Sequence, residues 1–498
     1  MTKWRNLCFI AGVLAVLSGC GVGPDYVRPA TEVPASYKET EGWKVAEPKD
    51  HLIRGAWWEI FGDPYLSGLE EQVNLSNQNI AVAEAQLSQA RALVRIAQAG
   101  YFPTVTIGAS YIRSFNTSAG GSARGSTSTV GSSGASGSSG AVSDYVLLGA
   151  VSWEPDLWGR IRRTVESSRA SAQASAADLE ATRLLVQAEL AQDYFLLRTL
   201  DTQKQLLDTT VTDLQKSLDL TKNRYTHGVA SKADVLLAET LLKSTQAQAI
   251  DVSVLRAQLE HAVASLIGRP ASVFSIPVSS MALTPPEIPA GVPSELLERR
   301  PDIASAERRM AAANAQIGVA VAAYYPAITL SASGGFAGSS LSDWLKWPNR
   351  FWSAGVSVSE ILFEGGLRHA QTAAARAAYD ATVASYRETV LTGFQEVEDN
   401  LAALRILQEE AQVQEEAVKA AQRTVTVTTN QYKSGTVNYL SVIVAQVAEK
   451  NSEITAINIL GRRMVDSVLL VKALGGGWPG SASKPDDTTE INGGLPNK

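Results

Sequence analysis

The chain is one structural unit written twice. The segment from Asn223 to Ala238 returns from Asn430 to Ala445, offset by 207 positions without a gap. Asn223, Tyr225, Gly228, Val235 and Ala238 answer to Asn430, Tyr432, Gly435, Val442 and Ala445. A second pair lies upstream in each half, Tyr101-Phe102-Pro103-Thr104-Val105-Thr106-Ile107 and Tyr324-Tyr325-Pro326-Ala327-Ile328-Thr329-Leu330. A unit this long excludes short-period solenoids, whose repeats run ~20–50 residues. It predicts a protein with internal pseudo-symmetry.

Hydrophobic periodicity gives each half the same order of elements. Residues 20–64, rich in Pro and Trp, read as an extended arm on a surface. Residues 65–102 carry Leu66, Leu69, Val73, Ile80, Ala83, Leu87 and Ala90 at helical spacing and predict one helix. The period then drops to two. Val105, Ile107, Ala109 and Tyr111 alternate with Thr104, Thr106, Gly108 and Ser110, and Tyr145, Leu147, Gly149, Val151 and Trp153 form one side of the next strand. Residues 103–158 are therefore a hairpin, with a Gly/Ser-rich loop at 119–141 that reads as flexible. A long helical hairpin follows over 159–268. It has no Pro and no internal Gly from Arg160 to Thr226, a stretch that would span roughly 100 Å as one helix. After a linker at 269–293 the second half repeats the layout: a helix at 294–325, a hairpin at 326–364, a long helical hairpin at 365–475 and a tail at 476–498. Helices of this length form a coiled-coil rod or tube rather than a compact domain.

The N-terminus says where the unit is delivered. Lys3 and Arg5 precede an apolar run from Leu7 to Leu17 and then Leu17-Ser18-Gly19-Cys20, the layout of a bacterial secretory signal. The run is far short of the ~20 apolar residues of a membrane-spanning helix. Leu-Ser-Gly-Cys fits the lipoprotein signal, so residues 1–19 are expected to be removed and Cys20 to carry N-acyl and diacylglycerol lipid. No other cofactor is expected. Gly21 follows in place of the Asp that commonly retains lipoproteins at the inner membrane, so export to the outer membrane of a Gram-negative bacterium is expected. The only other cysteine, Cys8, leaves with the signal, and an internal disulfide is excluded. Loss of Lys3 and Arg5 takes the formal charge from −6 to −8, with no basic cluster to mark nucleic acid as a partner.

Strands apolar on one face and small-polar on the other, with aromatics at their ends (Trp153, Trp158, Tyr324, Phe351), are the signature of a transmembrane barrel. A soluble sandwich alternates in the same way; the secretory signal and the repeat favour the barrel. Four strands cannot close one, because the smallest transmembrane barrels have about eight. Two chains would make a tight barrel filled by side chains. Three would make a twelve-stranded barrel wide enough for a lumen lined by Thr, Ser and Gly, the reading consistent with a conduit.

Five motifs in fixed order carry a resemblance. They are Val22-Gly23-Pro24-Asp25-Tyr26 after Cys20; Trp57-Trp58 with Phe61-Gly62-Asp63-Pro64; Trp153-Glu154-Pro155-Asp156-Leu157-Trp158-Gly159-Arg160; Pro293-Ser294-Glu295-Leu296-Leu297; and Arg299-Arg300-Pro301-Asp302-Ile303. The mature chain resembles the TolC-like outer-membrane factors, in particular the NodT-type efflux lipoproteins. The resemblance implies an α+β membrane protein: a trimeric twelve-stranded outer-membrane β-barrel continued by a long α-helical periplasmic tunnel. It implies passive conduction of small toxic compounds, and docking to a periplasmic adaptor and an inner-membrane pump, usually of the resistance–nodulation–division class. It places Tyr225, Asp234, Tyr432, Ser441 and Val444 at a periplasmic gate, and adaptor docking beside Gly228–Val229 and Gly435–Thr436. In the second repeat, Ser441 and Val444 stand where relatives often carry Asp, and Val437 where an Arg helps lock the tip. The expectation is a gate closed by packing and hydrogen bonds, with weak cation selectivity.

Other classes find little support. The four histidines are scattered, with no His-x-x-x-His, no Cys pair and no phosphate-binding Gly loop, so an enzyme is not expected. A structural coiled-coil lipoprotein would leave the strands unexplained. Metal-ion efflux and type I secretion use the same fold and remain alternatives for the cargo.

Overall fold

The computed structural model describes residues 22–29, 34, 37–38, 56–116, 140–280, 284–286, 288 and 299–476. Cys20, residues 119–139 of the Gly/Ser-rich loop, residues 294–298 of the second repeat's helix, and all but the first residue of the 476–498 tail lie outside them. The elements are helices α1 (Pro64–Ser76) and α2 (Gln78–Ala99), strands β1 (Thr104–Asn116) and β2 (Gly140–Trp153), helices α3 (Arg160–Thr226), α4 (Lys232–Leu266) and α5 (Pro301–Ala322), strands β3 (Ala327–Gly338) and β4 (Arg350–Ser359), and helices α6 (Leu367–Lys433) and α7 (Tyr439–Ala473). The two long hairpins match residue for residue. Both α3 and α6 have 67 residues, both α4 and α7 have 35, and all four start 207 positions from their counterparts. Before the strands the offset is 223, from Gln78 to Pro301. The first strand hairpin therefore carries the 16 extra residues, and they fall where the Gly/Ser-rich loop lies.

The chain divides into two compact units. One holds residues 1–27, 91–170 and 311–380, with the sheet; its four strands run antiparallel in the order β1-β2-β3-β4. Register sets the faces. Val105 pairs with Val151 and Ile107 with Gly149; Val151 pairs with Ala332, and Leu330 with Val356. Opposed residues share a face, so Val105, Ile107, Val151, Trp352, Val356 and Val358 all lie on one exposed apolar side. Thr106, Ser110, Ser331, Ser333, Ser353 and Ser357 lie on the other, and the Ser333 and Ser353 hydroxyls meet at 2.8 Å. This polar face departs from expectation at β2, where Val146 and Leu148 stand opposite Ser110 and Gly108.

The Trp153–Arg160 motif builds the junction from sheet to helix. Trp153 Nε1 donates to the Tyr101 carbonyl at 2.9 Å, and Trp158 Nε1 to that of Pro326 at 2.8 Å. Arg160 makes a two-pronged bond to Glu154. Asp156 accepts from the Ile161 and Arg162 amides at 2.9 and 2.8 Å, satisfying orphan donors at the start of α3. The arm at 22–25 is pinned beside this junction. The Val22 amide donates to the Trp158 carbonyl, Arg163 bonds Asp25 at 2.7 Å, and Asn314 donates to the Pro24 carbonyl.

The other unit is helical and holds residues 28–90, 171–310 and 381–498. Two expectations fail in it. The single helix over 65–102 is two, because Asn77 turns extended (ψ 129°) after Ser76. Its side chain accepts from the Asn79 and Ile80 amides, starting α2 as an N-cap, and donates to the Leu266 carbonyl at 2.7 Å. Trp57–Phe61 is not a surface arm either. It is a 3-10 turn whose Trp57, Trp58 and Phe61 enter the core with Phe195, Leu190, Leu401, Met464 and Val468. The Asp63 of that motif caps α1, accepting from the Tyr65 and Leu66 amides. Arg300, of the Arg-Arg-Pro-Asp motif, bonds Asp302, Glu396 and the Ala473 carbonyl, so one buried guanidinium joins α5, α6 and the end of α7. Asp201 is buried and accepts from Arg198, Arg256 and the Ser279 amide, which ties the 269–280 segment to α3 and α4. A buried carboxylate is tolerable when paired this fully.

Glu70 is the exception. It is fully buried on α1, with neither carboxylate oxygen bonded, and burial holds its pKa well above the ordinary carboxylate range. A raised folded-state pKa adds stability below the unfolded value and loses it as pH rises through the folded one. Glu70→Leu should stabilise the protein at neutral pH by roughly 1–3 kcal/mol, with the advantage shrinking as pH falls, read as the thermal unfolding midpoint against pH.

Candidate functional site

The two helix turns that hold the repeated motif are built alike. Thr226 ends α3 and Lys433 ends α6, and each turn crosses five residues to its partner helix. Gly228 (φ 75°) and Gly435 (φ 78°) occupy the left-handed region. In the first turn the Gly228 amide donates to the Tyr225 carbonyl and the Val229 amide to that of Arg224; in the second, Gly435 donates to Tyr432 and Thr436 to Gln431. Both are Schellman closures, which satisfy the last carbonyls of a helix and require a residue at ease with positive φ.

The entering helices are capped as closely. Ser231 accepts from the Asp234 amide at 3.1 Å, and the Asp234 carboxylate accepts from the Ser231 amide at 3.0 Å, a complete capping box. In the second turn Asn438 caps α7, accepting from the Ser441 amide at 3.1 Å and its hydroxyl at 2.9 Å. Asp234 and Ser441 thus occupy the same third helical position, each bonded to its own cap. The charge of Asp234 also lies within the positive end of α4.

Above the turns, α3, α4, α6 and α7 close on a buried cluster of Leu214, Leu218, Ala238, Leu242, Tyr432, Tyr439 and Val442. Tyr432 lies under the Arg224 guanidinium, 4.4 Å from ring centre to Cζ, and 5.2 Å from the Tyr439 ring. Tyr439 shares a 2.7 Å hydrogen bond with Ser217. Burial raises the Tyr432 phenol above its ordinary range, against the opposing charge of Arg224. Of the residues singled out from sequence, Tyr432 is inside this cluster, while Tyr225, Val229 and Val444 are exposed. Sequence reasoning missed Arg224, Ser217 and Tyr439. The seven-residue spacing of Ser217 and Arg224 on one helix face was the available signal.

The sequence profile of the outer membrane efflux proteins matches residues 69–269 and 292–476. The chain belongs to this family. The toluene efflux pump outer membrane protein TtgC of Pseudomonas putida is 31% identical over 484 residues, 96% of each chain. The cation efflux system protein CusC of Escherichia coli is 27% identical over 470 residues, 94% of this chain and 97% of the other. The solved outer-membrane channel OprN superposes with a TM-score of 0.83 at 30% identity, over 92% of this chain and 100% of that one. The protein is an outer-membrane efflux channel, and its sheet and long helices are the barrel and tunnel parts of that fold.

Nothing lies within 4 Å of a side-chain carbon added at Gly435, so its substitution is resisted by the backbone alone. Gly435→Ala should cost about 1–2 kcal/mol, and Gly435→Asn less, with faster hydrogen exchange confined to the amides of the last turn of α6.

Proposed function

We propose that three copies of this chain pool their strands into a twelve-stranded barrel and their helices into a periplasmic tunnel, which conducts small toxic compounds outward from an adaptor and an inner-membrane pump. The observation that carries the reading is the sheet: four strands, apolar and exposed on one face, with β1 and β4 each paired on one side only. Lipid cannot satisfy such edges, and neighbouring copies can. The adaptor is expected beside Gly228–Val229 and Gly435–Thr436, where Val229 is exposed at the turn. Cys20 is taken as the lipid-bearing residue. The pinning of Val22, two residues on, beside Trp158 supports an anchor at the helix end of the barrel.

The gate reading assigns closure to packing around Tyr432 and to the caps at Asp234 and Ser441, with Tyr225 and Val444 on the exposed side of the turns. Only the first repeat brings an acid to this third position, so a strong ring of carboxylates is not formed. For cargo, the relatives named for toluene are somewhat more similar than the one named for cations, and the mature chain is poor in Met and His. Organic compounds are therefore preferred over metal ions as the cargo.

Planar bilayers containing the purified protein should show small, flickering conductance, only mildly reduced by divalent cations on the periplasmic side. Absence of conductance would remove the conduit, and sharp block by divalent or trivalent cations would remove the uncharged gate.

A further inference from the structure

The two turns carry one motif and equivalent caps, yet Tyr432 is 8% exposed and its counterpart Tyr225 is 44% exposed. The same split recurs one helix on. Ile443 packs against the buried cluster, while Leu236, its counterpart 207 positions earlier, is 53% exposed. Two apolar side chains of the first repeat thus lack the cover that their equivalents in the second repeat receive.

The repeat identifies the missing cover. Tyr432 and Tyr439 are covered by one face of α3, which presents Ser217, Thr221 and Arg224. The equivalent face of α6 presents Thr424, Thr428 and Gln431, and Thr424 and Gln431 are exposed. Within a chain, this face of α6 and the Tyr225 face of α3 are the two outer flanks left over once the halves have packed together. In a ring of repeats only another copy can join them.

We infer that Tyr225 and Leu236 of one copy dock on Thr424, Thr428 and Gln431 of the next, and that this seam between chains is the weaker of the two seams at the turns. The inference rests on the trimeric reading above. Four of the residues that differ between the seams favour the one inside the chain. Gln431 replaces Arg224, so no guanidinium covers the Tyr225 ring. Lys232 replaces Tyr439, which removes both the ring contact and the hydrogen bond to Ser217. Ala421 and Val425 replace Leu214 and Leu218, which thins the apolar contact. The contact between chains is therefore the first to part as the turns open.

Two copies with different affinity tags, one carrying Tyr225→Cys and the other Gln431→Cys, are co-expressed and treated with a short bismaleimide. The mature chain has no other free thiol, since Cys20 carries lipid. A reaction product bearing both tags is expected, and none from Arg224→Cys paired with Tyr432→Cys, which meet only within a chain. A trimer by mass that gives no doubly tagged product overturns the inference alone. A preparation without trimers overturns the trimeric reading and the inference with it. Copying the inner seam outward, with Gln431→Arg and Lys232→Tyr together, should raise the temperature at which trimers dissociate in detergent and lower their conductance. No change in either would overturn the assignment of the weaker seam.

Discussion

An antiparallel sheet of four strands leaves a row of amides and carbonyls along each outer strand, and a bilayer core offers those groups no partner. One face of this sheet is a continuous apolar surface and the other is mostly small and polar, broken by Val146 and Leu148 of β2, which suits lipid on one side and water on the other. A single chain cannot meet both conditions. The rest of the molecule follows from that incompleteness. Each strand hairpin is joined to long helices at one end only, so closing the sheet also gathers the helices into a ring. The Trp153–Arg160 motif makes the join, with Glu154 and Asp156 both bonded to the first turn of α3.

The repeat governs the far end of the helices in the same way. Matching lengths for α3 and α6, and for α4 and α7, bring both turns to the same level, where Gly228 and Gly435 close the helices by the same bonds. Lengths must match here because a tube end is a level ring. The strand hairpins face no such requirement at their loops, and the 16 additional residues of the first half are tolerated there. Local symmetry in the backbone coexists with asymmetry in the side chains, and that asymmetry makes the seam inside a chain differ from the seam between chains.

Much of this was legible in sequence because long-range order here is written in short-range signals. The absence of Pro and Gly from Arg160 to Thr226 bounds a helix, and Gly228 ends it. Alternation at Val105, Ile107 and Ala109 bounds a strand. What escaped depends on neighbours distant in the chain. The break at Asn77 is invisible because apolar spacing continues on both sides; its second partner is Leu266. Trp57 and Phe61 sit in a segment rich in Pro and read as surface, but α3 supplies the pocket. Asp234 stands where the resemblance places a gate residue, and Ser231-Lys232-Ala233-Asp234 also spells a capping box. The same motif gave no means of telling buried Tyr432 from exposed Tyr225, because Arg224 and Tyr439 make the difference.

The most direct measurement is the mass of the purified protein in detergent, corrected for bound detergent. Closure of the sheet by neighbouring copies predicts three chains per particle, stable on dilution. A folded, monodisperse single chain would contradict it, because the strand edges would then have found partners within one copy.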